Sequence, residues 1–332
     1  MQKITREQLL EKAVSLLENG TVNCVLGWAK GEFDYDITPK VFNSADDLKE
    51  NFVWNDFCGA NFSKYLVSKT GKSEGKILVF LKPCDTYSFN QLLTEHRFDR
   101  EKVYAVGVPC EGMADIEKVK AVTGDGISAV NCEGENIAVT TVYDDKAILI
   151  DPKTVLAERC ENCKSKKHVA FDELLGEDGE VLNSNRFDEV SRLEAMTPDE
   201  RFAFWQNELS RCIRCNACRD ACPACTCEKC VFDNPESGVE NKSPANSFEE
   251  KLFHIIRAYH VAGRCTDCGE CSRVCPQNIP LHLLNRKFIK DINEFYGEYQ
   301  AGAEVGSRAP LVDYTTDDIE PGEVFDRGDI DA

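Results

Sequence analysis

Cys212-Ile-Arg-Cys215-Asn-Ala-Cys218-Arg-Asp-Ala-Cys222-Pro223 is answered further along the chain by Cys265-Thr-Asp-Cys268-Gly-Glu-Cys271-Ser-Arg-Val-Cys275-Pro276. Both stretches read C-x2-C-x2-C-x3-C-P. Three thiols so closely spaced wrap one face of a small body, and the fourth turns away to serve a second one. A zinc site uses one or two CxxC pairs, not two matched four-cysteine runs each closed by proline. Disulfides suit small secreted domains, and no secretory signal is expected from Met1-Gln-Lys-Ile-Thr5, which leads straight into a helical pattern.

This is the spacing of bacterial ferredoxins that carry two [4Fe-4S] clusters, each cluster taking its last cysteine from the other run. One cluster is therefore assigned to Cys212, Cys215, Cys218 and Cys275, the other to Cys265, Cys268, Cys271 and Cys222. Between the runs lie 42 residues, Pro223 to Arg264, with a helical segment from Phe248 to Ala262. That insert is too long for a compact bacterial ferredoxin and suits a helical dicluster domain of a larger complex. Thr197-Pro198-Asp-Glu200 is a strong helix start, with cap, proline and acid in order, and the helix behind it delivers Cys212. A helix from Leu281 to Phe295 follows the second run.

The 332 residues suggest two domains, and 42% hydrophobic content is enough for a packed core. No run of about 18 apolar residues occurs, so no membrane-spanning helix is expected. Eighteen cysteines kept as thiols imply a reducing, anaerobic cytoplasm. The net charge of −19 argues against nucleic-acid binding, which needs basic patches.

The N-terminal half alternates strands and helices, the pattern of a mostly parallel α/β sheet. A helix opens at Thr5, boxed by Gln8 and ended by Gly20; Val22 to Trp28 is a buried strand; Ser44, with Asp47 as its box partner, starts a short helix; Asn61 to Lys69 is helical. Then one unit occurs twice. Lys76 to Lys82 is a strand followed by Pro83-Cys84-Asp85, and Lys102 to Val108 is a strand followed by Pro109-Cys110-Glu111, with helices expected over Thr86–Glu95 and Met113–Val122. Sites in such sheets gather at the carboxyl ends of strands, where both Pro-Cys pairs fall. A hairpin is expected within Ile127–Ile150, then Cys160-Glu-Asn-Cys163 beside Lys164, Lys166 and Lys167, a basic run that is more often a solvated face but near a cluster would offset thiolate charge. The divisions are residues 1–176 for the α/β domain, 186–295 for the dicluster domain and 301–332 for an acidic tail with nine acids and two arginines.

Ten cysteines lie outside the two runs. Cys84, Cys110, Cys160 and Cys163 are the best set for a third cluster, two at strand ends and two on one loop. A zinc site on the same ligands and plain buried cysteines are the alternatives. Cys225, Cys227 and Cys230 are either ligands lacking an obvious fourth partner or sulfurs packed near a cluster, Cys24 belongs to the core, and Cys58 and Cys132 are open. His254 and His260, six apart on one helix, do not share a face and are not read as ligands.

Lys82-Pro83-Cys84-Asp85, then Val106-Gly107-Val108-Pro109-Cys110, then a CxxC pair, resembles the beta subunits of deazaflavin-dependent hydrogenases and formate dehydrogenases. These join an α/β domain to a dicluster ferredoxin domain and pass electrons between a partner's active site, iron–sulfur clusters and often a flavin. The resemblance implies that Cys84, Cys110, Cys160 and Cys163 hold a third [4Fe-4S] cluster. The order of the two parts, with the ferredoxin part second, looks more like iron–sulfur subunits of heterodisulfide-reductase-type and anaerobic sulfite-reductase-type complexes. Two functions follow as expectations. The first is an electron-transfer subunit serving a catalytic oxidoreductase partner or a soluble carrier, with no catalytic residue of its own. The second is a subunit with FAD or FMN in the α/β domain, converting hydride from a soluble carrier into single electrons. No G-x-G-x-x-G follows a strand to support a dinucleotide site.

Overall fold

In the computed structural model residues 3–133, 135–182, 185–234, 236 and 247–310 are described, 247–250 by their backbone alone. The chain runs α1 (Arg6–Glu18), β1 (Cys24–Lys30), β2 (Ile37–Phe42), α2 (Ala45–Asn51), α3 (Ser63–Lys69), β3 (Ile77–Leu81), α4 (Pro83–Thr94), β4 (Val103–Gly107) and α5 (Ile116–Thr123). It continues through β5 (Ile127–Glu133), β6 (Asn136–Thr141), β7 (Asp144–Ile150), α6 (Glu158–Glu161) and β8 (Glu173–Leu174). Beyond that point the described elements are helices: α7 (Asp188–Ala195), α8 (Pro198–Ser210), α9 (Ala217–Asp220), α10 (Ser247–His260), α11 (Glu270–Arg273) and α12 (Leu281–Tyr296).

The main sheet has the strand order β2-β1-β3-β4-β8. β1, β3, β4 and β8 run parallel, and only the edge strand β2 is antiparallel. Ile77-Leu-Val-Phe-Leu81 is buried at every position, because helices cover both faces of a parallel interior strand. The core is aromatic: the Trp28 ring lies 4.4 Å from Phe62 and 4.8 Å from Trp54. In the helical part, α10 packs against α8 and α12, and α12 against α7 and α11.

Three local expectations change. Helix α4 starts at Pro83, not Thr86, because Pro83 takes the first helical position and Asp85 the third, whose carboxylate accepts from Lys82 N at 3.2 Å. The expected hairpin is a three-stranded antiparallel meander, β5-β6-β7, with Ile127–Glu133 as the extra strand. Ser44 does cap α2, but the Asp47 carboxylate turns to Lys40 and Asn51 instead of completing a box. The boxes at Thr5/Gln8 and Thr197/Glu200 form as expected.

Of the stretch expected as an acidic tail, 301–310 falls within the described residues and begins packed: Ala301 and Ala309 are buried, and Gly306 N donates to Thr94 Oγ1 at 2.9 Å. Gly302 has φ +75° and so little room that a Cβ would meet the Tyr87 carbonyl oxygen. Residues 311–332 lie outside the described residues. Among the described residues no helix is long and apolar enough to cross a membrane.

Candidate metal centres

The sequence echo between the two cysteine runs is also an echo in backbone shape. Arg214 and Asp267, each two residues after the first cysteine, have φ of 52° and 58°. Asn216 and Gly269, each directly after the second cysteine, have φ of 63° and 68° and precede the short helices α9 and α11. Two left-handed residues in five bend each run so tightly that its first three side chains face one way.

Cys212, Cys215, Cys218 and Cys275 line one cavity together with Phe253, His254, Pro276, Ile279 and Leu281. These are the four cysteines expected to serve one cluster, drawn from both runs. Backbone geometry already favours sulfur there, since Arg214 N donates to Cys212 Sγ at 3.4 Å. Of the second set, Cys222 and Cys271 are buried and Cys265 and Cys268 partly so. Burial pushes the Cys268 and Cys271 thiols up to about 12. Arg257 is buried between the two sets, donating to the Cys218 carbonyl oxygen at 2.9 Å. Burial works against its charge, and the Cys222, Cys218 and Cys271 sulfurs hold it.

A second cavity is lined by Cys84, Cys110, Cys160 and Cys163, with Lys82, Arg159, Lys164, Lys166, Asp267 and Cys268. Three separate segments deliver the four thiols. Cys84 sits in the first turn of α4, Cys110 follows β4, and Cys160 lies on α6, the short helical turn that replaces the expected loop. His168 clasps the strand ends that lead to the first two. Its Nε2 is 3.1 Å from the Leu81 carbonyl oxygen and 3.2 Å from that of Val108, while its Nδ1 lies 2.7 Å from Asp178. Gly107 makes room for this ring, since a Cβ there would come within 3.2 Å of it. Gly112, at φ +139°, turns the chain beyond Cys110 beneath Leu156.

Buried cations stand around this cavity, two of them paired with carboxylates. The Lys82–Asp85 pair, at 2.8 Å, is 1% exposed on both sides, and Lys82 Nζ also donates to the Ala60 carbonyl oxygen at 2.8 Å. Of the two readings of the lysine run, Lys164 follows the one beside the thiols: it is buried, its ammonium 4.1 Å from the Tyr87 ring centre and donating to the Thr266 carbonyl oxygen. Burial brings its pKa down to about 8. Arg159 Nη1 donates to Glu270 at 2.5 Å. Burial pushes Cys110 up to about 12 and Cys84 well above the usual thiol value, so a thiolate there needs positive charge beside it.

The donor chemistry fits a cluster. Two sets of four thiols each line a cavity of their own, and buried cations stand behind them. Among the described residues no three His, Cys, Asp or Glu side chains close to the spacing of one bound ion. Two features escaped the sequence reading. His254 is buried with Nε2 3.3 Å from Cys212 Sγ, and Arg159 bridges to Cys268; neither has a sequence signal, because both depend on contacts between distant segments. Of the remaining cysteines, Cys24 and Cys58 are buried, Cys225 is partly buried beside Cys222, and Cys132 and Cys227 are exposed.

Residues 208–279 match the family model for a 4Fe-4S dicluster domain. The F420-dependent formate dehydrogenase subunit beta of Methanocaldococcus jannaschii is 24% identical, over 83% of this chain and 86% of that protein. The F420-dependent formate dehydrogenase 1 subunit beta of Methanococcus maripaludis is 24% identical over 83% and 87%. An alignment of that span necessarily runs through both parts of the chain in the order seen here. A chain of the F420-reducing [NiFe] hydrogenase complex from Methanosarcina barkeri aligns at 14% identity with a TM-score of 0.37, covering 63% of this chain and 91% of that one, a likeness too slight to place the fold. With a parallel-rich α/β sheet followed by a match to a 4Fe-4S dicluster domain, this chain is similar along most of its length to the beta subunits of F420-dependent formate dehydrogenases.

Proposed function

We propose that this chain is the electron-relay subunit of a cytoplasmic anaerobic oxidoreductase complex, serving a catalytic partner subunit through three [4Fe-4S] sites. The observation that carries the reading is the second cavity, where Cys84, Cys110, Cys160 and Cys163 meet although 79 residues separate the first from the last. The same cavity reaches Cys268 of the second cysteine run, so the third site adjoins the second; the exchange of Cys222 and Cys275 between the runs interlocks the second with the first. When bound, the clusters supply one-electron redox chemistry. Around them the chain's residues do three things. Cysteine thiolates hold the iron. Arg257, Arg159 and Lys164 offset the negative charge. Phe253, Ile279 and Leu281 keep water from the first set.

The test is the iron content of anaerobically purified protein and its EPR spectrum after dithionite reduction. Three clusters require about 12 iron atoms and two about eight, by cubane counting. A Cys160→Ser variant with unchanged iron and spectrum refutes the third set. A count near four in the intact protein refutes the dicluster assignment.

A second reading, with FAD or FMN in this chain, is favoured by a cleft lined by Tyr35, Phe57, Glu158, Arg159, Arg273 and His282, with Cys275 on its wall. A flavin there would supply the exchange between a hydride and single electrons. Acid precipitation of a fully metallated sample that releases no yellow chromophore ends that reading.

A further inference from the structure

His254 lies on α10 directly after the buried Phe253, and its ring is only 2% exposed and faces sulfur. Nε2 lies 3.3 Å from Cys212 Sγ. On the other side Nδ1 is buried with no hydrogen-bond partner among the described residues. The ring is fixed by Phe253, edge to face at 4.9 Å, and Phe253 in turn carries the Arg214 guanidinium at 4.1 Å from its centre.

Resting on the reading of Cys212, Cys215, Cys218 and Cys275 as a cluster site, we propose that His254 is a positioning residue that donates an N–H···S hydrogen bond to Cys212 and sets the reduction potential of that site. A ligand thiolate has no proton to give, so the imidazole must be the donor. Only one ring nitrogen has a partner, so the proton belongs on Nε2 and the bare lone pair on Nδ1. A donor aimed at a ligand sulfur stabilises the reduced, more negative state over the oxidised one and raises the potential. The other ligand sulfurs are served differently: Asn285 Nδ2 lies 3.7 Å from Cys271 and the backbone N of Met113 3.4 Å from Cys160. Among the described residues the imidazole is therefore specific to the first site.

The experiment is an anaerobic, EPR-monitored redox titration of the full chain as wild type, His254→Leu and His254→Gln. Glutamine places an amide N–H near the position of Nε2, whereas leucine keeps the bulk without a donor. In His254→Leu the signal that a Cys215→Ser variant removes should titrate at a more negative potential. Its reduced-to-oxidised ratio at the wild-type midpoint should fall several-fold, the scale of one hydrogen bond. His254→Gln should recover most of that shift, and the other signals should not move. An unmoved midpoint in a fully loaded leucine variant, or an equal shift of every signal, overturns the proposal. If leucine costs the cluster itself, pulsed ENDOR on wild-type protein labelled with ¹⁵N-histidine decides. A nitrogen coupled to that signal supports the bond and its absence overturns it. The underlying cluster reading fails separately, through a Cys215→Ser variant that loses neither iron nor signal.

Discussion

Arg159 Nη1 donates to the carbonyl oxygen of Cys268 at 3.0 Å, tying a residue beside one candidate cluster ligand to the backbone of another 109 residues away. The same side chain donates through Nη2 to the Gly59 carbonyl oxygen at 2.7 Å and pairs with Glu270 at 2.5 Å, where both side chains are nearly buried. One guanidinium thus joins the α/β domain, the second cavity and the second cysteine run. Arg159→Leu should lower the unfolding free energy by about 3 kcal/mol, the scale of removing one partner from a buried pair, moderated because Glu270 keeps Arg273. Anaerobic denaturant titration measures this. Arg159→Lys keeps the charge but loses the fork, and should recover less than half of the loss.

Cysteine substitutions should sort by cavity. Cys163→Ser is expected to reduce iron from about 12 to about eight per chain. Cys24→Ala, in β1, should leave iron unchanged, because that thiol belongs to the core cluster. Inductively coupled plasma analysis of anaerobic samples separates the two.

The His168 clasp should be needed for the third site. His168→Leu frees the carbonyl oxygens of Leu81 and Val108, and it should lower third-site iron occupancy more than Cys24→Ala does. Asp178→Asn should be milder. Burial pushes the Asp178 carboxyl up, but hydrogen bonds from the His168 ring and backbone outweigh it and hold the carboxyl below its usual 3.8. A depressed carboxyl contributes stability that is present above its unfolded value and lost as pH falls through the lower folded value. The penalty of Asp178→Asn in thermal midpoint should therefore be constant between pH 5 and 8.

Glu95, capping the end of α4, grips Arg264 with both oxygens, at 2.8 and 2.6 Å, just before Cys265. The pair is partly buried, at 22% and 16% exposure. Glu95→Ala should cost about 1 kcal/mol and speed hydrogen exchange in residues 261–266 relative to α12, as mass spectrometry would show.

Much of this was written in the chain. Matched runs of four cysteines and a proline are read by counting, because three thiols within seven residues can only converge on something between them. The repeated strand-Pro-Cys unit placed two more thiols at the carboxyl ends of β3 and β4, since parallel strands side by side end together. Capping boxes at Thr5 and Thr197 are equally local, each involving residues three apart. The start of α4 at Pro83 rather than Thr86 is also a local signal, proline and aspartate at the first and third helical positions.

What tertiary structure alone decided is which distant residues serve the sulfurs. Lys164 stands in a run of lysines that looks solvated, yet it is buried over Tyr87; His254 looks like any histidine on a helix until Cys212 is placed against it. Spacing along the chain reports the ligands, because their convergence is enforced within a few bonds. The charges and donors behind those ligands come from segments 40 to 110 residues away, and only tertiary packing brings them within hydrogen-bonding reach.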